Sequence, residues 1–133
     1  MELWHLREAP QRRLDESQVH VFAADGLIAA MRGEAEYRRS RHTGITLMKT
    51  SELRVLLETA EPGATLASHV VHGPATLFVI EGMLEVVTQD HAFRARQGDL
   101  VVLPRDDPRR ITSLARSTFL LALSPSAPDA AAS

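Results

Sequence analysis

The residues of this chain best placed for chemistry sit in and just after two glycine-led strings, Gly63-Ala-Thr-Leu-Ala-Ser-His69 and Gly98-Asp-Leu-Val-Val-Leu-Pro104. The first ends on a histidine, and a second histidine, His72, follows just before Gly73-Pro74. An imidazole can ligate a divalent metal or exchange a proton near neutral pH. The second string runs through Pro104 to Pro108 into Arg109. A guanidinium is a fixed cation that grips a carboxylate or phosphate with two parallel hydrogen bonds. His5, His20, His42 and His91 read as ordinary surface histidines. Glu81 and Glu85 flank Gly82, where two glutamates around a hairpin face solvent more often than they form an acid pair.

Much other chemistry is excluded. The chain has no cysteine, so disulfides, thiolate nucleophiles and cysteine-based zinc sites fall away together. No glycine-rich phosphate loop and no Gly-x-Ser-x-Gly elbow is present. A formal charge of −2 gives no general pull toward polyanions. Arg38-Arg39-Ser40-Arg41 adjoins Glu34 and Glu36, and only 5% of residues are aromatic, so it reads as a solvated face and no nucleic-acid partner is expected. No stretch approaches the roughly 18 apolar residues needed to cross a bilayer. Met1 to Leu14 has no continuous apolar run and does not read as a signal peptide. A cytoplasmic protein without a membrane partner is the expectation.

The elements that must position these side chains are mostly strands. At 133 residues and 44% apolar content, one domain with one core is expected. Residues 1–44 read as an N-terminal arm plus a short helix, with Val21, Phe22, Leu27, Ile28 and Met31 near helical spacing. Arg32 to His42 is dense in charge and reads as a solvated connection. From Ile45 the pattern changes to short strands separated by turns such as Glu61-Pro62-Gly63, Gly82, Gln89-Asp90 and Gln97-Gly98. Leu53 to Thr59 alternates with period two, setting Leu53, Val55 and Leu57 against Arg54, Leu56 and Glu58. Strands at a spacing of about 8–12 residues predict an all-β sandwich or barrel. That barrel is expected over residues 45–124, with 125–133 a disordered tail of Ser, Pro and Ala.

With the strands placed, the two strings resemble the paired motifs of the cupin superfamily, and in particular its small single-domain, RmlC-like members. Gly63, His69 and Gly82 fall in register with the first motif, and Gly98 and Pro104 with the second. The resemblance covers about residues 45 to 124 and implies a double-stranded β-helix, a jelly-roll-like barrel. It also implies a metal site built from two His and a Glu of the first motif and a His of the second, holding iron, manganese, nickel or zinc. Here only His69 stands in register. Val71, Ala75 and Arg109 occupy the other three ligand positions, and one aligned donor does not meet the three or four that a divalent ion requires.

The resemblance places the second-motif ligand position inward at the barrel mouth, so it implies that Arg109 faces the pocket. A cation there disfavours metal and favours an organic anion. The reading is therefore a binding protein for a small, anionic organic ligand held by His69 and Arg109 between apolar walls of Leu77, Val79, Val101 and Ile111. No cofactor is expected. The alternatives are a metal-dependent oxygenase or isomerase with a rearranged ligand set, in which His69 and His72 hold the ion, a metal-free isomerase or lyase working from His69, and a structural dimer with its pocket closed by Leu77 and Met83. The competing fate of Arg109 is to bend outward with Arg110 or to pair with Asp106 or Asp107. A homodimer is implied as well, with Trp4, Leu6, Val19, Val21 and Phe22 contributing to its interface.

Overall fold

Short period-two segments closed by turn glycines become two antiparallel sheets packed face to face in the computed structural model, which describes residues 18–69, 74–105 and 109–124, with side chains omitted at 67–69. The outer parts of the arm with Trp4 and Leu6, the tail 125–133, His72, Asp106 and Asp107 lie outside the described residues. Two helices, α1 (Ala24–Arg32) and α2 (Ala35–Ser40), precede nine strands among the described residues. The strands are β1 (His42–Lys49), β2 (Arg54–Ala60), β3 (Thr65–His69), β4 (Ala75–Glu81), β5 (Met83–Val87), β6 (Ala92–Arg96), β7 (Leu100–Leu103), β8 (Arg109–Ser113) and β9 (Ser117–Leu123). One sheet has the order β1-β2-β9-β4-β7 and the other β3-β8-β5-β6. This is an all-β, two-sheet barrel with Greek-key-like crossovers.

The turns follow from backbone geometry. Gly63 adopts φ +88° at the β2–β3 turn, a conformation in which a side chain is strained. Gly82 joins β4 to β5 at φ +94°, and a Cβ there would lie 2.3 Å from the Ser117 hydroxyl and 2.4 Å from the Arg116 carbonyl. The first position strains any other residue, and the second has no room for one.

Two apolar clusters divide the interior. Between the sheets, Ala60, Leu66, Leu77, Val79, Leu84, Val86, Ile111 and Phe119 form the barrel core. On the outer side of the larger sheet, Leu27, Ile28 and Met31 of α1 pack on Ile45 and Leu57, with Phe22 and Leu120 alongside. Burial of that face, at about 25 cal/mol per Å2, holds the helix to the sheet.

Four expectations need correction. The helix spans Ala24–Arg32 rather than Val21–Met31, because Val21 is exposed and Phe22 joins the cluster from an extended segment. Arg32 to His42 is not merely a solvated connection: it contains α2, whose Tyr37 is buried and donates to Glu61 across the fold. The first strand begins at His42, three residues before Ile45, so His42 belongs to the sheet rather than to a surface loop. The alternation in β2 does not separate core from solvent, since both of its faces are covered. Leu57 lies under α1, and Ala60 faces the barrel core.

Candidate functional site

Strand register defines which side chains share the space between the sheets. In β2, Arg54, Leu56, Glu58 and Ala60 stand opposite Leu123, Leu121, Phe119 and Ser117 of β9. Phe119 and Ala60 belong to the barrel core, so this face of β2 is the inner one. Next across the sheet, Ala75, Leu77 and Val79 of β4 pair with Leu123, Leu121 and Phe119, and Ala75 and Leu77 also pair with Leu103 and Val101 of β7. In the facing sheet, Ile111 of β8 pairs with Leu66 and Val86, both core residues. Alternation then turns Arg109 and Ser113 inward with it.

Arg109 is 5% exposed, an uncommon degree of burial for a guanidinium. Its Nη2 donates to the Pro104 carbonyl at 3.1 Å, which ties the side chain to the loop between β7 and β8. The side chain therefore does not bend outward with Arg110, which is exposed. In the backbone ladder His69 is the register partner of Arg109, past an irregularity between Leu66 and His69. The two positions are thus neighbours at one end of the barrel. The sequence-derived apolar wall belongs to the barrel core: Leu77 and Val79 are fully buried, Ile111 is 8% exposed, and Val101 packs against the same cluster from β7.

The residues at the expected metal positions do not fit a metal. Ala75 is buried and carries no donor, and Arg109 brings a fixed positive charge. Among the described residues no group of three or more His, Asp or Glu side chains is arranged to hold an ion.

Sequence reasoning missed the most unusual group on the inner face. Glu58 stands directly opposite Gly44 in the β1–β2 ladder and opposite Phe119 in the β2–β9 ladder. A Cβ at Gly44 would come within 2.3 Å of Glu58 Oε2 and 2.5 Å of its Cδ, so the carboxyl lies over the glycine backbone. Burial pushes the Glu58 carboxyl up from its ordinary value of 4.5 to about 7. Nothing among the described residues donates a hydrogen bond to it, and desolvation is the whole cause of the rise. The side chain still keeps part of its surface open. One signal could have found it: a glycine fourteen residues earlier, inside a strand pattern, marks close backbone approach by a neighbour.

No established family profile matches the chain, and no curated protein matches it. Solved structures do. A salicylate 1,2-dioxygenase from Pseudoaminobacter salicylatoxidans superposes with TM-score 0.72 at 15% identity, covering 86% of this chain and 35% of that one. An RmlC-like cupin from Desulfovibrio desulfuricans gives TM-score 0.60 at 20% identity, over 70% and 91% of the two chains. KdgF from Halomonas gives TM-score 0.57 at 21% identity, over 68% and 85%. Identities this low speak for the fold, and they agree with the register of the two glycine strings. Two antiparallel sheets, these strand pairings and these structural neighbours together show that the chain has the cupin fold.

Proposed function

We propose that the inner face at the His69–Arg109 end of the barrel binds a small organic anion, with Arg109 as its principal contact. The observation that carries this reading is the burial of a guanidinium, 5% exposed, on the same inner face as Leu77, Val79 and Ile111. A guanidinium held within an apolar wall acts in a low dielectric, where its attraction for a carboxylate is stronger than in water. Donor-poor positions and a fixed cation favour an organic anion over a divalent metal as occupant. Arg54 places a second guanidinium on the inner face of β2, with its Nε buried.

Titration of the purified protein with short straight-chain carboxylates, followed by calorimetry, tests the reading. Arg109→Gln is expected to weaken binding by about ten- to a hundredfold, the value of a charge-assisted pair. Arg109→Lys, which keeps the charge but not the two-point grip, should fall between. Circular dichroism establishes that each variant is folded. Unchanged affinity in folded Arg109→Gln would refute the proposal.

A further inference from the structure

Arg54 opens β2 on the inner face, and strand register fixes the level at which it stands. It pairs with Leu123 of β9, Leu123 pairs with Ala75 of β4, and Ala75 pairs with Leu103 of β7. Pro104, whose carbonyl accepts from Arg109 Nη2, directly follows Leu103. The Arg109 side chain thus reaches from the facing sheet to the level at which Arg54 projects. Antiparallel partners share one face of their sheet, so Arg54, Leu123, Ala75 and Leu103 turn toward the same interlayer space. Glu58, four residues further along that face, stands level with Phe119 and Val79, away from this end.

Charge gathers at the Arg54 level without an acid to balance it. Lys49 of β1 pairs directly with Arg54, and like charges set opposite each other weaken a ladder. Among the described residues, no carboxylate forms an ion pair with either side chain. Arg54 Nε is buried and has no hydrogen-bond partner within the protein. A buried charged donor is costly to leave unmatched, so its acceptor comes from solvent or a bound molecule. The inner-face neighbours of Arg54 across the sheet, Leu123 and Ala75, are apolar and offer nothing to hold water in place.

Resting on the anion-binding reading above, we propose that Arg54 is the specificity-determining contact of that site: it holds a second carboxylate, so that the preferred ligands are short dicarboxylates bridging Arg109 and Arg54. Two guanidiniums entering one poorly solvated space from opposite sheets repel each other, and a dianion between them turns that repulsion into attraction on both sides. A monoanion satisfies one guanidinium and leaves the other as it was. Facing sheets lie about 10 Å apart, and two arginine side chains fill part of that gap, which leaves room for a chain of few carbons. The apolar faces of Leu123, Ala75 and Leu103 suit the methylenes between the two charges.

The test is calorimetry with glutarate and valerate, acids of equal chain length with two carboxylates and with one, at about pH 8, where all are ionised. Glutarate is expected to bind about ten- to a hundredfold tighter, the worth of a second charge-assisted pair. Arg54→Gln, shown to be folded by circular dichroism, should remove that advantage and leave the affinity for valerate unchanged. Arg54→Lys, a milder change, should keep part of the advantage. A merely structural role for Arg54 would weaken both acids by the same factor, and that result overturns the proposal. Equal affinity of the wild type for the two acids overturns it too, as does a glutarate advantage that survives in Arg54→Gln. If neither acid binds the wild type, the anion-binding reading itself fails and takes this extension with it. Valerate binding that depends on Arg109, with no advantage for glutarate, leaves that reading standing and removes only the role of Arg54.

Discussion

A carboxyl that burial pushes up to about 7 leaves a mark on the pH dependence of stability. In the unfolded chain Glu58 returns to about 4.5, so the folded state binds the extra proton between there and about 7. A folded value raised above the unfolded one means that stability falls as pH rises through that window and levels off above it. The full displacement is worth on the order of 3 kcal/mol. Glu58→Gln removes the penalty of burying the charge, so it should raise the melting temperature at pH 8 while leaving it nearly unchanged at pH 4. Thermal melts of the two proteins across pH measure this directly. A Glu58→Gln variant no more stable than wild type at pH 8 would mean that the carboxyl is well solvated.

The helical segment is held to the barrel by polar side chains as much as by its apolar face. Arg32 of α1 donates from Nε to Thr59 Oγ1 at 3.1 Å and from Nη2 to Thr118 Oγ1 at 3.0 Å. Tyr37 of α2 donates to the Glu61 carboxylate in the β2–β3 turn, and Arg116 Nε donates to the same Oε2 at 2.9 Å. The hydrogen bond from Tyr37, then that from Arg116, hold the Glu61 carboxyl below its ordinary value, while burial pushes the Tyr37 phenol up. Tyr37→Phe is expected to cost about 1–2 kcal/mol, the worth of a bond to a charged acceptor. A lowered carboxylate contributes its stability above its unfolded value and loses it as pH falls, so that cost should be full at neutral pH and shrink in acid. Chemical denaturation at pH 7 and pH 4 checks both the size and the sign.

Among the described residues, an apolar stripe on the larger sheet faces solvent. On the outer face of β4 and β7, Phe78 and Leu100 stand directly opposite each other, and Val102 follows opposite Thr76. They are 41%, 64% and 72% exposed. Among the described residues β7 is a terminal strand of its sheet, with pairing groups on its far side. We propose that the homodimer implied by the sequence forms over this face and along this edge, where an apolar stripe and an open ladder coincide. Phe22 packs against the α1 cluster of its own chain, while Val19 and Val21 remain exposed. Replacing Leu100 and Val102 together by Lys should convert a dimer into a monomer by light scattering, without loss of β-structure. Unchanged mass would place the interface elsewhere.

Period-two alternation and turn residues were enough to predict short strands from Ile45 onward and the turns at Glu61-Pro62-Gly63, Gly82, Gln89-Asp90 and Gln97-Gly98 that separate them, because both signals are local: they depend on φ, ψ and on neighbours two positions away. The inward position of Arg109 came from the resemblance, in which Arg109 stands at the second-motif ligand position. Glu58 was not legible. Its strand alternates on two faces that are both covered, one by α1 and one by the opposite sheet. Alternation reports that two faces differ and never says what will lie against each. The docking of α1 on Leu57, the glycine across the ladder and the closure of the second sheet made Glu58 an interior acid, and each of those is a contact between segments far apart in the chain.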